Sequence, residues 1–379
     1  MIHMNKKIIA VAVVLILVIA AGLVYFVAQG NEDKDTIKIA VVEHNFEPIY
    51  IADELGFFDE EGVNVELVIV SSGSLSAATL TTPDAVDLAG FGPDPFLGIL
   101  NNYGYDDYKW IGTYMLDDGV QGAASIASGI DLNHPETLLG ISPATNVGKV
   151  IGINTTISYY SLFLEYLNAA NAHGYNLQYQ ILGEKDTPDP NMVNIRNYDN
   201  NALASSLGRY VDKDDENKGH VDMIIGGAAN AKVVEKNPDK FKYVEIDDDH
   251  PEYKSYMPVG LMSSVNTINE KSEAIEKVMR AIQKGCEYIY NEDGTVNEDA
   301  CKIAIDSLGN QWDINVQTKY FTSADWGFEF SQIDVDSMNA ALKNLGDRFD
   351  KLGDTVDPNQ YFEPRFLKAI FGDQFIWPL

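Results

Sequence analysis

The sequence predicts an α/β protein of two lobes built on one plan, each a mainly parallel sheet flanked by helices, preceded by an apolar N-terminal segment. Three observations predict it. From Ile37 onward, short apolar runs of strand length alternate with amphipathic stretches of helical period. The order strand, loop, helix, strand, helix, strand-to-glycine occurs twice, ending at Gly92 and again at Gly226-Gly227. Residues 8–28 (IIAVAVVLILVIAAGLVYFVA) carry no charge. At about 1.5 Å per residue such a run spans roughly 30 Å, the thickness of a bilayer core.

Lys6 and Lys7 precede the apolar run, and Glu32, Asp33 and Asp35 follow it. The positive-inside rule then places the short N-terminus in the cytoplasm and the body outside. A cleaved signal peptide also fits, with Ala28-Gln29-Gly30 as a weak cleavage site, although its apolar core is normally about 7–15 residues. Length favours an uncleaved anchor. No cysteine lies near this segment to take a lipid. The expected organisation is 1–30 as stub and anchor or signal, 31–36 as tether, 37–120 with 258–379 as lobe I, and 121–257 as lobe II.

Among 379 residues, 45% are apolar, enough for sizeable cores. The net charge of −30 repels phosphate backbones, so nucleic acid is not an expected partner. It suits a solvated surface facing an aqueous exterior. The run Asp212, Asp214, Asp215, Glu216 reads as a loop, not a metal site. Cys286 and Cys301 fit no zinc or CxxC spacing. Both fall on helical stretches, where buried thiols and a disulfide remain open alternatives.

In the first lobe, Ile37–Val42 reads as a strand buried on both faces. Pro48 suits the first turn of a helix, whose apolar face carries Ile51, Leu55 and Phe58. Gly56 and Gly62 punctuate it, and Val63–Val70 is the next strand. After Ser71-Ser72-Gly73-Ser74 comes a helix to about Leu80, then a strand over Ala85–Phe91. In the second lobe, Val147–Ile153 is a strand. Tyr159–His173 is a helix with Leu162, Phe163, Tyr166, Leu167 and Ala170 on one face and Gly174 beyond its end. Asn176–Leu182 is the following strand, Ala202–Tyr210 a helix and Val221–Ile225 the last strand. Pro258–Val265 returns to the first lobe, and Asn269–Tyr290 is a long helix. Glu298–Leu308 and Val335–Lys351 are helical and are expected to pack on the first lobe. Trp312, Trp326 and Phe328 lie between them, as core residues or as stacking partners for a ligand.

The run PIYIADELGFFDEEGVNVELVIV resembles the opening signature of the solute-binding family that serves importers of sulfonates, nitrate and thiamine-pyrimidine precursors. Pro48, Ala52, Gly56, Phe58 and Gly62 are in step with its proline, alanine, glycine, phenylalanine and glycine. Gly148-Lys149-Val150-Ile151-Gly152 is similar to the strand that opens that family's second lobe. Val86-Asp87, Ala202-Leu203 with Val221-Asp222, and the helix from Ser272 are also similar. The resemblance covers about Ile37 to Asn291. The stretch Asp106–Val147 is longer than the pattern, Arg209–His220 carries an acidic insertion, and the tail matches nothing.

This resemblance implies a type II periplasmic-binding-protein-like fold whose lobes close on a small molecule and then dock on an ABC permease with its ATPase. It implies ligand contacts from four loops. These are His44, Asn45, Phe46 and Glu47; Ser72 and Ser74 with Gly92 and Asp94; Thr155, Thr156 and Ser158; and Gly227 with Asn230. The group at 155–158 opens a helix, where an anion and ordinary N-capping are both open. Glu47 and Asp94 suit a ligand with an amine or ring N–H. Few basic residues fall in these loops, which argues against a small anion such as nitrate. No catalytic residue, cofactor or metal is expected: the sequence holds no G-x-S-x-G, P-loop or HExxH, and its six histidines do not cluster. An extracellular enzyme on this fold and a surface-layer or adhesion protein are the alternatives.

Overall fold

The computed structural model describes residues 36–117, 120–183, 186–208, 220–309 and 312–375. The apolar run 8–28 and the acidic run 212–216 lie outside them. Among the described residues no helix is long and apolar enough to cross a membrane.

Two six-stranded sheets form the two lobes. The first is ordered β2-β1-β3-β11-β4-β12. Its strands are β1 (Thr36–Val41), β2 (Asn64–Ile69), β3 (Leu88–Phe91), β4 (Tyr108–Asp117), β11 (Met257–Ser264) and β12 (Ala324–Glu329). β1 is parallel to β2 and β3, whereas β11 runs antiparallel to both β3 and β4. The second sheet is ordered β7-β8-β6-β9-β5-β10. It contains β5 (Gly122–Ser125), β6 (Val150–Ile153), β7 (Tyr179–Leu182), β8 (Val193–Asn197), β9 (Met223–Ile225) and β10 (Phe241–Val244). Here β6, β7, β8 and β9 are parallel and β5 opposes β9. In each sheet one antiparallel strand, β11 or β5, follows a crossing of the chain between lobes. Buried apolar residues of both sheets, Ile39 and Ile153 among them, belong to one connected cluster, and a smaller cluster lies within the second lobe alone.

The repeat is therefore real but offset by one strand. The stretch Asn176–Leu182 does not pair with the strand that opens lobe II. β8 sits between them, and β7 is pushed to the sheet edge. Its edge position leaves Tyr179 and Ile181 exposed.

Two helices expected to be continuous are broken. Helix α1 (Glu47–Glu54) stops before Gly56, whose φ of 73° ordinary residues avoid, and α2 (Phe57–Glu61) restarts the chain. Helix α3 (Gly73–Leu80) follows, capped by Ser72 Oγ, which accepts from Leu75 N–H at 3.2 Å. Helix α4 (Pro93–Tyr103) follows β3, and α5 (Ser158–Ala172) follows β6. Helices α6 (Asn200–Gly208) and α7 (Gly227–Lys236) complete the second lobe. The long helix divides into α8 (Val265–Glu270) and α9 (Ser272–Tyr288). α9 lies close on α1: a Cβ at Gly285 would come within 2.2 Å of the Pro48 carbonyl oxygen. Cys286 and Cys301 are buried free thiols.

The tail comprises α10 (Glu298–Ser307), α11 (Ile314–Thr322), β12, α12 (Gln332–Leu345), α13 (Pro358–Tyr361) and α14 (Arg365–Phe371). It does more than pack on the first lobe. β12 extends the first sheet, while α11 packs on α7 and α12 on α5, both in the second lobe. Asn168 Nδ2 donates to Asn344 Oδ1 at 2.8 Å, and Asn344 Nδ2 donates to Glu165 Oε2 at 3.1 Å across that contact.

Candidate functional site

The site begins where β1 ends. The chain turns through Asn45 at φ 72° and enters α1 with Glu47 in its first turn. Asparagine tolerates this left-handed backbone better than most residues. Phe46 belongs to the core: its ring fills the space beside Gly90 and meets Tyr114 edge-on at 5.9 Å. Its neighbours in the loop are polar. The Tyr114 hydroxyl donates to the Asn45 carbonyl at 2.8 Å, and the Tyr320 hydroxyl donates to Asn45 Oδ1. The His44 ring stacks on Trp312 with centroids 3.9 Å apart and planes 10° apart. His44 Nδ1 lies 3.2 Å from Glu47 Oε1. Glu47 is fully buried, and its second oxygen has no hydrogen-bond partner.

Aromatic side chains surround this loop. Tyr320 meets Trp312 edge-on at 5.3 Å and Trp326 at 5.8 Å. From the second lobe, the Tyr159 hydroxyl donates to Asp117 Oδ2 at 2.8 Å. Burial raises the hydroxyls of Tyr114, Tyr159 and Tyr320 well above the usual tyrosine range, and the negative charge of Glu47 raises them further. All three keep their protons at any physiological pH. Gln317 lies one turn before Tyr320 on α11. It is fully buried, and neither its oxygen nor its nitrogen has a partner. The Trp326 Nε1 atom is also buried and unpartnered. Asn230, on α7, donates from Nδ2 to the Gln121 carbonyl at 3.2 Å, while its Oδ1 accepts nothing. Gly227 is the first residue of that helix.

A second group of the expected residues bonds the lobes to each other. The Asp94 backbone N–H donates to Ser158 Oγ at 3.1 Å, and Ser161 Oγ donates to Asp94 Oδ1 at 2.6 Å. A Cβ at Gly92 would fall 2.5 Å from Ser158 Oγ, so the approach of α5 needs glycine there. Burial raises the Asp94 carboxyl to about 6, offset in part by the Ser161 hydrogen bond. Ser74 Oγ donates to the Thr156 carbonyl at 3.2 Å, and Arg348 Nη1 donates to the Thr155 carbonyl at 2.6 Å.

The opening of α5 offers few groups to an anion. Thr155 N–H donates to Asn197 Oδ1 at 2.9 Å, and Thr156 donates from both N–H and Oγ1 to Asn154 Oδ1. Nor is there a hydroxyl cap, since Ile157 holds the cap position with no side-chain bond. Pro93, Ser158, Ser161, Glu165, Tyr256 and Asp336 help to line an open cavity of about 320 Å³.

The structure thus brings His44, Asn45 and Glu47 together with side chains that sequence reasoning did not assign to the site. These are Tyr114, Asp117, Tyr159, Gln317 and Tyr320, together with Trp312, for which ligand stacking was one of two readings. The tail provides Trp312, Gln317 and Tyr320, and the tail has no counterpart in the family pattern. A tryptophan flanked by polar residues at 312 was the single signal available.

Comparison with known proteins follows the same outline. The family model described as NMT1/THI5 like matches residues 43–97 and 184–294. The first segment includes the His44–Glu47 loop and the second includes α7 and α9. No curated protein matches by sequence. Among solved structures, the nitrate-binding protein NrtA of Synechocystis superposes with a TM-score of 0.61 at 10% identity, covering 92% of this chain and 93% of that one. The aliphatic sulphonate binding protein SsuA of Escherichia coli gives 0.60 at 11% identity, covering 86% and 99%. The CA3427 gene product of Candida albicans, described as having the generic periplasmic binding protein fold, gives 0.56 at 17% identity, covering 86% and 96%. Identities this low establish the fold. The resemblance read from Pro48–Val70 to the sulfonate and nitrate type of solute-binding protein holds.

Proposed function

Because the chain is a two-lobed α/β protein of the periplasmic-binding-protein fold with NMT1/THI5-like segments, we propose that it is an extracytoplasmic solute-binding protein and not an enzyme. It takes a small organic or oxyanionic solute, sulfonate-like or pyrimidine-like, between its lobes and delivers it to an ABC permease with its ATPase. Residues 8–28 hold it at the outer face of the cytoplasmic membrane, or are cleaved after export.

One observation carries this reading. Glu47, Asn230, Gln317 and Trp326 each keep a buried polar atom without a partner, and they come from the first lobe, the second lobe and the tail. A buried polar group left unpaired costs about 1–3 kcal/mol, so four such groups drawn from both lobes and the tail ask for a physical explanation. A solute at the lobe junction would supply the missing partners. Its contacts to both lobes would favour the closed arrangement over the open one, which is how binding drives hinge closure. His44, Asn45, Glu47 and Asn230 then contact the solute, with Trp312, Gln317 and Tyr320 added from the tail. Gly92, Asp94 and Ser158 hold the lobes shut. Native mass spectrometry of the full chain, after incubation with a small-molecule extract of cells, tests this reading. A retained small molecule that is lost on Trp312→Ala supports it. Consistent failure to retain any molecule, or turnover of the retained one, contradicts it.

A further inference from the structure

We infer that the solute is an organic cation with N–H groups, an amine or amidine, whose charge is recognised by the buried Glu47 carboxylate. This rests on the solute-binding reading above and narrows it.

The hydroxyl protons of Tyr114, Tyr159 and Tyr320 are already given to the Asn45 carbonyl, Asp117 Oδ2 and Asn45 Oδ1. What these hydroxyls still offer is lone pairs, and at Tyr159 the Asn45 side chain already engages the oxygen. Glu47 Oε2 and Asn230 Oδ1 are unpartnered acceptors. The Gln317 amide, unpartnered at both atoms, adds a third acceptor and a donor, and Trp326 Nε1 adds a second donor. A site so rich in acceptors calls for a ligand rich in N–H.

Charge points the same way. The charged groups acting on the three tyrosine hydroxyls are Glu47 and, for Tyr159 and Tyr320, also Asp117. His44 faces Glu47 from the same loop, but its Nδ1 reaches one carboxylate oxygen and leaves the other bare. Arg348 is turned to the Thr155 carbonyl, and Lys319 to Glu245. An oxyanion would enter beside Glu47 and Asp117, and among the described residues no arginine or lysine pairs with Glu47, whereas oxyanion sites normally rely on charge-assisted donors. A protonated nitrogen would instead complete the carboxylate's hydrogen bonding and lie against the ring system of Trp312, Tyr320 and Trp326.

Isothermal titration of the full chain tests this with four probes: benzamidine and phenethylamine as N–H cations, methanesulfonate and nitrate as oxyanions. Glu47→Gln keeps the shape and removes the charge. We expect a cation to bind, its affinity to fall about 10- to 100-fold in Glu47→Gln as a charged hydrogen bond is lost, and neither oxyanion to bind. Thermal unfolding separates this from a structural role. Removing a buried charge that is only half partnered, through one oxygen to His44, should leave the unliganded variant as stable as the parent or more so, whereas loss of a structural ion pair with His44 would lower its Tm. Binding of an oxyanion, or a cation held equally well by Glu47→Gln, overturns the inference and leaves solute binding intact. If all four probes fail, the molecule retained in native mass spectrometry decides: a basic nitrogen upholds the inference, and its lack overturns it. If none is retained, the parent reading falls with it.

Discussion

Replacing Asp94 by asparagine should stabilise the protein, and by an amount that depends on pH. Asp94 is buried between the lobes, with one oxygen bonded to Ser161 and the other unpartnered. Burial lifts its carboxyl from 3.8 to about 6, so the folded state prefers the protonated acid. The sign follows from linkage. Below the unfolded value the acid is protonated in both states and imposes no penalty. As pH rises from about 4 to about 6 the unfolded chain ionises first, and the native state loses stability. Above about 6 the loss is complete. A displacement of roughly two pH units corresponds to about 3 kcal/mol. Asparagine keeps an oxygen for Ser161 and cannot ionise, so Asp94→Asn should match the parent near pH 4 and exceed it by about 3 kcal/mol at pH 7.5. Urea denaturation of both proteins across that range measures the difference. Equal stability at both pH values, or a variant less stable at pH 7.5, would mean that the carboxylate is compensated where it sits.

The packing and closure contacts yield three more expectations. Gly285→Ala should cost about 2–3 kcal/mol by overpacking, because its new methyl meets the Pro48 carbonyl at the junction of α9 and α1; chemical denaturation reads this directly. Tyr320→Phe removes the hydroxyl that holds the Asn45 side chain, and should cost about 1–2 kcal/mol while loosening the left-handed turn; amide exchange over residues 43–47 should rise with it. Arg348→Ala deletes the charged donor to the Thr155 carbonyl and the stacking of the guanidinium 5.5 Å from the Tyr160 ring centre. It should shift the lobes towards the open form by about tenfold, seen as a larger radius of gyration in small-angle scattering.

Where the sequence was legible, one physical rule dominated locally. β1 and β3 are buried almost throughout, and each showed as an apolar run. The loop after β1 could be assigned to the site because strand ends in this architecture face the cleft. β8 was missed because its core member Asn194 is polar. That side chain is buried by donating from Nδ2 to the Lys149 carbonyl and accepting from Asp189 N–H at Oδ1, a solution invisible in hydropathy. The break at Lys271 between α8 and α9 was missed because no glycine or proline marks it. The site itself was half legible. His44 and Glu47 lie in one tight loop, but Tyr320 reaches Asn45 from 275 positions away, and no local pattern announces such a partner. Asp94 illustrates the converse. Its place after a glycine turn suggested a ligand contact, but not that tertiary packing would bring Ser161 to one carboxylate oxygen and leave the other bare.

The most direct test is a distance measurement across the cleft. Ile69 and Ile181 are exposed, at 64% and 51%, on the outer strands of the first and second sheets. The two native thiols are buried, so spin labels on Ile69→Cys and Ile181→Cys would report lobe separation with little background. Without solute, pulsed electron resonance should show a broad or double distribution; with a small-molecule extract of cells it should collapse to the shorter distance, and Glu47→Gln should resist that collapse. A single distance, unmoved by the extract, would mean that these lobes do not close on anything small.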